Sequence, residues 1–294
     1  MSIIKIEHLT KDYGDGRGIF DINLEVEQGE IFGYVGTNGS GKTTTIRNML
    51  GFVFPDSGNI EIDGLNPVTN SAELMNKVAY IPGEIAFPNL KTGADFLKLQ
   101  AEYCGITDFS RMNYIADKLG LDTSADLKRM SKGMKQKTAI VSAFMSDRDI
   151  MILDEPTTGL DPLMRDVFIE LLNEEKKKGK TVFLSGHIFE ELEEVCDRVA
   201  MLKDGRIIDV VNMYGLRHSS DRNFEIVFES EAAANDFKNA FVGAYVRGNR
   251  VFATVQPKQT DKLFKALQAY DVKQLHESHA TLEQVFMKEY NNEN

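Results

Sequence analysis

Residues 36–43 read Gly36-Thr37-Asn38-Gly39-Ser40-Gly41-Lys42-Thr43, and they match the pattern G-x-x-x-x-G-K-[ST] at every fixed position. Glycine allows backbone conformations that other residues avoid, so successive N–H groups of such a loop can converge on phosphate oxygens. The apolar residues 31–35 before the loop are typical of a strand, and residues 42–50 after it are typical of a helix, whose N-terminus favours an anion. The stretch therefore predicts a phosphate-binding loop between a strand and a helix of an α/β domain.

The side chains of this loop indicate that the phosphate belongs to a nucleotide. Lys42 is predicted to neutralise the β- and γ-phosphates and Thr43 to hold Mg²⁺, with Thr44 next to them in the nucleotide-binding set. The alternative is a glycine-rich turn with an incidental lysine, and the match of both residues and context argues against it. The loop alone identifies neither the nucleotide nor the reaction.

The composition indicates a globular protein with more than one domain. A chain of 294 residues exceeds the roughly 100–200 residues of a single domain, and 42% hydrophobic with 27% charged residues is ordinary for a protein with a buried core. Apolar runs such as residues 139–145 are far shorter than the ~20 residues that cross a bilayer. Charged residues within 1–14 stand where a secretion signal needs an apolar core, so we expect a cytoplasmic protein. The net charge of −11 makes nucleic acid an unexpected partner.

The order of predicted elements divides the chain in two. In residues 1–212, predicted strands alternate with helices, which indicates one α/β domain with a mostly parallel sheet. Residues 213–294 predict the order βαββαβ followed by a helix, which indicates a small ferredoxin-like α+β domain. The last helix is expected to open with a capping box formed by Thr281 and Gln284.

A second candidate site element lies at residues 150–155, which read Ile-Met-Ile-Leu-Asp-Glu. They predict an apolar strand that carries two carboxylates, Asp154 and Glu155, to its C-terminal end. Because adjacent strand residues point to opposite faces, we expect one carboxylate to bind a metal and the other to face an attacking water. Alone, the pair would be explained by an acidic turn; the phosphate-binding loop favours the catalytic interpretation.

Four stretches together resemble the ABC ATPases in order and spacing. They are residues 36–43, residues 130–137 (MSKGMKQK), residues 154–161 (DEPTTGLD) and His187 at the end of residues 184–187 (LSGH). Residues 130–137 depart from the family signature Leu-Ser-Gly-Gly-Gln, and similar signatures are typical of the branch that exports drugs, antibiotics and peptides. The resemblance implies an ABC-type P-loop NTPase domain that binds ATP with Mg²⁺ and hydrolyses it.

The resemblance also implies roles for residues near the nucleotide. Glu155 is expected to orient or deprotonate the attacking water, Lys42 to stabilise developing charge and His187 to sense the γ-phosphate, which makes these three the catalytic candidates. Asp154 is expected to serve Mg²⁺ together with Thr43. Tyr13 matches the aromatic residue that stacks on adenine, with a turn tyrosine packed on its own domain as the alternative.

Three further residues are implied to act across a dimer. Ser131 and Gly133 match the signature residues that bind the γ-phosphate held by the opposite subunit, and Asp161 matches the loop that links the two sites. Ser131 and Asp161 also suit the N-caps of helices, and both roles can hold together. A glutamine position of the family falls at Gly83 or at Glu84 here, and the sequence does not decide between them.

One phosphate loop and one signature imply a second ATPase subunit, either a copy or a paralogue. The lack of a spanning segment predicts a separate integral-membrane permease, with this chain peripheral on the cytoplasmic face of the membrane. We therefore expect the ATP-hydrolysing subunit of an exporter of drug, antibiotic or peptide-like substrates. The alternative is a non-transport ABC ATPase acting on a nucleic acid or the ribosome, and residues 50–130 lack the sustained heptads of its DNA-repair members. A regulatory module without turnover would be expected to lack Glu155 or His187.

Overall fold

The strand, loop and helix predicted around residues 36–43 are present in the computed structural model. The structure describes residues 1–218, 222–240, 244–278 and 281–292. The chain divides into two compact units, Met1–Val210 and Val211–Asn294.

The elements of the first unit alternate along the chain much as the sequence predicts. Its strands are β1 (Ser2–Asp12), β2 (Gly18–Glu27), β3 (Ile31–Gly36), β4 (Ser57–Ile62), β5 (Val78–Ile81), β6 (Ile150–Asp154), β7 (Thr181–Gly186), β8 (Arg198–Lys203) and β9 (Arg206–Asn212). Its α-helices are α1 (Lys42–Met49), α2 (Ser71–Lys77), α3 (Gly93–Tyr103), α4 (Ser110–Lys118), α5 (Lys132–Met145), α6 (Pro162–Lys177) and α7 (Phe189–Val195). Among the described residues, no helix combines the length and the apolar character needed to cross a membrane.

The central sheet of this unit has the order β5-β6-β7-β3-β8-β9. The pairs β5/β6, β6/β7, β3/β7 and β3/β8 are parallel, which confirms the predicted mostly parallel sheet. Strands β2, β1 and β4 form a separate antiparallel sheet. Because β3, β6 and β7 are parallel neighbours, their last residues Gly36, Asp154 and Gly186 lie at one edge of the sheet. Ligands of open α/β sheets bind beyond this carboxyl edge.

A buried tyrosine joins β3 to α1 on the two sides of the loop. The Tyr34 side chain is fully buried, and its ring centre lies 5.1 Å from that of Phe183 on β7. Its hydroxyl is hydrogen-bonded to Thr45 Oγ1 of α1 at 3.0 Å, and burial raises the pKa of this phenol. The two ends of the loop are therefore attached to the same core.

Ion pairs attach α4 to α6. Arg111 approaches Glu174 at 2.8 Å and Glu175 at 2.6 Å, and the Glu175 side chain has no exposed surface. Burial alone would raise the pKa of Glu175, but hydrogen bonds from Lys180 and Lys178 outweigh it and lower the pKa. Because Glu175 is buried and charged, its cation partners Arg111, Lys178 and Lys180 are needed to offset the cost of its desolvation.

The second unit contains its own elements and core. They are α8 (Met213–Arg217), β10 (Arg222–Phe228), α9 (Glu231–Ala240), β11 (Ala244–Arg247), β12 (Arg250–Val255), α10 (Thr260–Leu267), β13 (Val272–Ser278) and α11 (Leu282–Asn292). The sheet order is β11-β12-β10-β13 and each pair is antiparallel, which is the ferredoxin-like arrangement that the sequence predicts. Buried side chains of β10, β12, α9 and α10 form a core of their own.

Two local predictions for this unit have different outcomes. The Thr281–Gln284 capping box is confirmed, since Thr281 N–H donates to Gln284 Oε1 at 3.3 Å and Gln284 N–H donates to Thr281 Oγ1 at 3.2 Å. In the order βαββαβ, the sequence pattern of residues 258–269 predicts the second helix; this range is too long, because Pro257–Gln259 forms a 3₁₀ turn and the α-helix covers only Thr260–Leu267. 3₁₀ turns are frequent at the ends of α-helices, and a proline is tolerated in this first turn because it has no N–H to leave unpaired.

We expect a chain that ends at Asn212 to fold and to retain ATP binding, because the first unit has its own sheets and core. Circular dichroism and equilibrium binding of ATP with Mg²⁺ would measure this, with the full chain as the reference. A truncated chain that aggregates or lacks cooperative unfolding would show that the two units depend on each other.

Candidate functional site

The phosphate-loop sequence forms a tight connection from β3 to α1 that depends on glycine. Gly39 and Gly41 have φ values of +84° and +107°, in the region that residues with a Cβ rarely adopt. A Cβ on Gly36 would lie only 2.4 Å from Ser40 Oγ. The Ser40 N–H donates to the Thr37 carbonyl at 3.1 Å and closes the turn. The sequence therefore folds as the predicted loop, with α1 beginning at its end.

The Lys42 ammonium lies over this loop. Its side chain is 5% exposed, and Nζ donates to the carbonyls of Gly36 at 2.8 Å and Thr37 at 3.3 Å. Nζ also lies 3.5 Å from Glu155 Oε1. A buried cation is thus held at the loop by uncharged carbonyls and one carboxylate, all of which a phosphate can replace as a partner.

The Asp154 carboxylate is fully buried between two hydroxyl groups. Ser185 Oγ donates to Asp154 Oδ1 at 2.6 Å, and Thr43 Oγ1 donates to Asp154 Oδ2 at 2.9 Å. The serine is placed by the sheet, since Asp154 and Ser185 are register partners of β6 and β7. Burial and the nearby Asp154 charge raise the pKa of Tyr80 on β5 to about 12.

Glu155 follows β6 in a left-handed conformation, with a φ of +48°. The sequence-based prediction that the two carboxylates alternate on one strand is wrong, because β6 ends at Asp154 and the chain turns at Glu155. The turn is held by the Glu155 N–H, which donates to Ser185 Oγ at 3.0 Å and to the Ser185 carbonyl at 3.2 Å. A residue in this region costs about 1–3 kcal/mol and occurs preferentially at functional sites.

The strained turn places the Glu155 carboxylate between two nitrogen groups. Oε1 lies 3.5 Å from Lys42 Nζ, and Oε2 lies 3.5 Å from His187 Nδ1. Thr158 Oγ1 donates to Oε2 at 3.3 Å. The three residues predicted to be catalytic, Lys42, Glu155 and His187, are therefore brought together by the carboxyl ends of β3, β6 and β7.

A cleft of about 410 Å³ opens beside these groups. It is lined by Tyr13, Arg17, Gly18, Asn38, Gly39, Gly41, Lys42, Thr43, Thr44 and Glu155. Tyr13 is 50% exposed, and Lys11 Nζ lies 5.8 Å from its ring centre. The predicted loop residues and Tyr13 thus border the same cavity.

Ser131, Gly133 and Asp161 are not part of the described lining of this cleft. Both proposed N-caps are present, because Ser131 Oγ accepts from the Met134 N–H at 3.2 Å and Asp161 Oδ1 accepts from the Met164 N–H at 3.1 Å. The two segments contact each other, since a Cβ on Gly133 would lie 2.9 Å from the Gly159 carbonyl.

The two residues at the glutamine position differ in their surroundings. A Cβ on Gly83 would lie 3.0 Å from Asp154 Oδ2 and 3.3 Å from its Cγ. The Glu84 side chain is exposed. Gly83 is therefore the residue that contacts the Asp154 carboxylate, and it contributes no side chain.

Comparison with known proteins agrees with this geometry. A family model described as ABC transporter matches residues 19–158. The bacitracin transport ATP-binding protein BcrA of Bacillus licheniformis is 34% identical over 239 residues, which cover 79% of this chain and 77% of that protein.

The chain belongs to the ABC transporter ATP-binding proteins.

Other members of the family support the same assignment. The Nod factor export ATP-binding protein I of Ralstonia nicotianae is 32% identical over 236 residues, covering 72% of this chain and 73% of that protein. Among solved structures, the ATP-binding subunit of an ABC transporter is 31% identical, with a TM-score of 0.68 over 74% of this chain and 92% of that one. The cbiO1 protein of Clostridium perfringens, part of the cbiONQ ABC transporter complex, is 27% identical with a TM-score of 0.59, covering 72% of this chain and 89% of that one. The ABC-type P-loop NTPase fold is thereby confirmed, and the chain is an ATP-hydrolysing subunit of this family.

Two residues that hold the ABC site together are not among the residues predicted from the sequence. Ser185 bonds to both Asp154 and Glu155, and its signal was a hydroxyl at the end of an apolar strand. Gln136 is 2% exposed and its Nε2 donates to the Pro156 carbonyl at 2.7 Å, which joins α5 to the turn after Glu155. No pattern in the sequence shows that Gln136 faces inward at this point of α5.

We expect Ser185→Ala to lower the free energy of unfolding by about 1–3 kcal/mol, because it leaves the buried Asp154 oxygen and the Glu155 N–H without this partner. Urea denaturation would measure the change. Ser124→Ala is the matched control, since Ser124 Oγ donates to Asp122 at the exposed surface, and its effect should stay within about 0.5 kcal/mol. Equal effects of the two variants would contradict the anchoring role of Ser185.

We expect Gly83→Ala to lower ATP turnover about tenfold or more, because the new methyl group would press on a carboxylate that two hydroxyls hold in place. Steady-state phosphate release would measure turnover. Glu84→Ala, at an exposed neighbour, should change it by no more than about twofold. A larger effect at Glu84 than at Gly83 would assign the glutamine position to Glu84.

Proposed function

We propose that this chain hydrolyses ATP with Mg²⁺ in the cleft beside Lys42 and thereby drives export through a separate membrane protein. The observation that supports the proposal most directly is the Glu155 carboxylate, held 3.5 Å from both Lys42 Nζ and His187 Nδ1 at the end of the phosphate loop. A carboxylate in this position is suited to a water that attacks the terminal phosphate.

ATP binding follows from the loop. Its N–H groups and the N-terminus of α1 bind the phosphate oxygens, and Lys42 exchanges its carbonyl partners for the β- and γ-phosphates. Tyr13 stacks on the adenine, which is worth ~1–3 kcal/mol by analogy with base stacking. The nucleotide's size suits a cleft of about 410 Å³ with a half-exposed tyrosine at its border.

The residues at the loop also fit a Mg²⁺ ion. Thr43 Oγ1 and Asp154 Oδ2 are 2.9 Å apart and both are oxygen ligands, the type that Mg²⁺ prefers alongside phosphate oxygens and water. Bound there, Mg²⁺ would supply charge neutralisation for the β- and γ-phosphates. Ser185 keeps Asp154 oriented toward that position through its 2.6 Å hydrogen bond.

The reaction is an in-line attack of water on the γ-phosphate. Glu155 orients the water and accepts its proton as the new P–O bond forms, while the bond to the ADP oxygen breaks. Lys42 stabilises the charge that develops on the phosphoryl oxygens. His187 contacts the γ-phosphate and, through Glu155 Oε2, keeps the carboxylate in place. ADP and inorganic phosphate are the products.

A second ATPase subunit completes the site. Ser131 is the N-cap of α5 and Gly133 lies in its first turn. Neither residue is part of the described lining of the cleft, which supports a role at the nucleotide of the opposite subunit. Their N–H groups and the helix N-terminus suit a γ-phosphate. Asp161 lies in the adjoining segment and would link the two nucleotide sites, so that one site responds to the nucleotide bound at the other. The second subunit would be a copy of this chain or a paralogue.

The relatives indicate the cellular task. BcrA is named for bacitracin transport and the Ralstonia protein for Nod factor export. We infer export of a drug, antibiotic or peptide-like substrate, with an integral-membrane permease as partner and this chain on the cytoplasmic face of the membrane.

Recovery of a multi-span protein with this chain from detergent-solubilised membranes would test the partner; repeated recovery of ribosomes or DNA instead would contradict it.

We expect Glu155→Gln to bind ATP normally but to hydrolyse it about 10²–10⁴ times more slowly, because the amide keeps the shape and loses the basicity. The variant should accumulate as a dimer with ATP and return to a monomer with ADP. Radiolabelled ATP binding, phosphate release and light scattering would measure the three properties.

Glu190→Gln is the matched control, because it removes the same charge from an exposed position near the site. It should turn over at the wild-type rate. A Glu155→Gln protein with near wild-type turnover would remove Glu155 from its catalytic role. A slow variant that stays monomeric with ATP would contradict the homodimer and leave a paralogue as the second subunit.

A further inference from the structure

Two segments of the chain meet beside the cleft, and each carries one of the proposed catalytic residues. The first runs from β6 through Glu155 to α6, and the second runs from β7 through His187 to α7. Glu155 Oε2 lies 3.5 Å from His187 Nδ1, and the His187 side chain is 47% exposed. This distance is longer than that of a strong hydrogen bond, so the contact does not by itself fix the separation of the two segments.

The first attachment between these segments lies close to the sheet. The Glu155 N–H donates to Ser185 Oγ at 3.0 Å and to the Ser185 carbonyl at 3.2 Å. These bonds fix the backbone of Glu155, but the second segment can still change direction after Gly186, where β7 ends. A second attachment beyond His187 is therefore needed to hold its imidazole in place.

A carboxylate on α7 supplies this second attachment. Thr157 is 7% exposed, and its Oγ1 donates to Glu191 Oε2 at 2.7 Å. Burial raises the pKa of Glu191, and the hydrogen bond from Thr157, the charge of Arg165 and the nearby His187 oppose this effect. Glu191 thus connects α7 to the segment that carries Glu155.

The second oxygen of the Glu191 carboxylate faces a cation. Glu191 Oε1 lies 3.5 Å from Arg165 Nε on α6, and within the described part of the chain neither atom has a hydrogen-bond partner. An ion pair at this distance attracts without fixing an orientation. The 2.7 Å bond from Thr157 therefore sets the geometry, while the guanidinium compensates the partly buried charge.

We propose that Glu191 is a positioning residue for ATP hydrolysis, which acts through Thr157 to hold the Glu155 carboxylate and the His187 imidazole at the separation that the reaction needs. Along the second segment, Ser185, His187 and Glu191 follow in that order. The bonds from Ser185 to Glu155 and from Thr157 to Glu191 therefore lie on either side of His187 and form a clamp. This role rests on the proposed function, because the two side chains that the clamp holds are those that act on the γ-phosphate and its attacking water.

Steady-state ATP hydrolysis by the full chain tests the role in turnover. Thr157→Val keeps the shape and removes the donor, and Glu191→Ala removes the acceptor. Each should lower kcat about tenfold or more and change KM for ATP by less than about twofold, because the phosphate loop is unaltered. Thr157→Ser restores the hydroxyl and should stay within about twofold of the wild type. The double variant Thr157→Val/Glu191→Ala should be about as slow as either single variant, because all three lack the same bond.

Two matched controls should keep the wild-type kcat. Glu190→Ala removes a carboxylate from the neighbouring, exposed position of α7. Thr254→Val removes a hydroxyl that donates to Asn223 at 2.6 Å in the second unit. Wild-type kcat in Thr157→Val and Glu191→Ala, a loss that Thr157→Ser does not reverse, or losses that multiply in the double variant would overturn the proposal.

Hydrogen–deuterium exchange of the nucleotide-free proteins tests the clamp without catalysis. We expect Thr157→Val and Glu191→Ala to speed exchange of the N–H groups of residues 187–195 severalfold, and Thr157→Ser and Glu190→Ala to leave it unchanged. Unchanged exchange in the first two variants would overturn the proposal. Glu155→Gln separates this result from the proposed function: near wild-type turnover of that variant would contradict the proposed function and the role of Glu191 with it. A slow Glu155→Gln beside a fast Thr157→Val and Glu191→Ala would contradict the role of Glu191 alone.

Discussion

The fully buried Asp154 carboxylate is the feature on which the site depends. It lies at the carboxyl end of β6 and accepts hydrogen bonds from Ser185 on β7 and from Thr43 on α1. A buried carboxylate is stable only with such partners, because its desolvation is costly. Its position therefore fixes three elements relative to one another, and parallel pairing of β6 with β7 sets the register at which the serine meets it.

The same serine connects stability with chemistry. Ser185 donates to Asp154 and accepts from the Glu155 N–H, so one hydroxyl holds the buried Asp154 carboxylate and the strained turn that follows. The left-handed backbone at Glu155 turns its side chain toward Lys42 and His187. The strand ends between these two neighbours, so their environments differ. Asp154 stays buried, whereas the side chain of Glu155 lines the cleft.

The sequence predicts the strands and loops of this site better than its contacts. Residues 36–43 identify the loop because a local backbone conformation requires glycine there. Gly39 and Gly41, the two glycines with positive φ, both lie within this stretch. The turn at Glu155 escapes prediction, since strand periodicity carries no information on where pairing ends. Ser185 and Gln136 escape for another reason: their partners are about 20–30 residues away along the chain and meet them only through the sheet and α5.

Charge along the chain fits a division of the nucleotide site between two subunits. The protein carries a net charge of −11, yet residues 128–137 contain five lysines and arginines and no acidic residue. This basic stretch contains Ser131, the N-cap of α5, and the first residues of that helix, which are not part of the described lining of the cleft. A basic segment that is not balanced by nearby sequence attracts an anion over the range of a Debye length, about 8 Å at physiological salt. Within one chain the cleft already has its own buried cation in Lys42, so the second positive region is suited to a polyphosphate that another subunit presents. The acidic remainder of the surface disfavours competing polyanions such as nucleic acid, which agrees with the role that we propose for this stretch at the nucleotide of a second subunit.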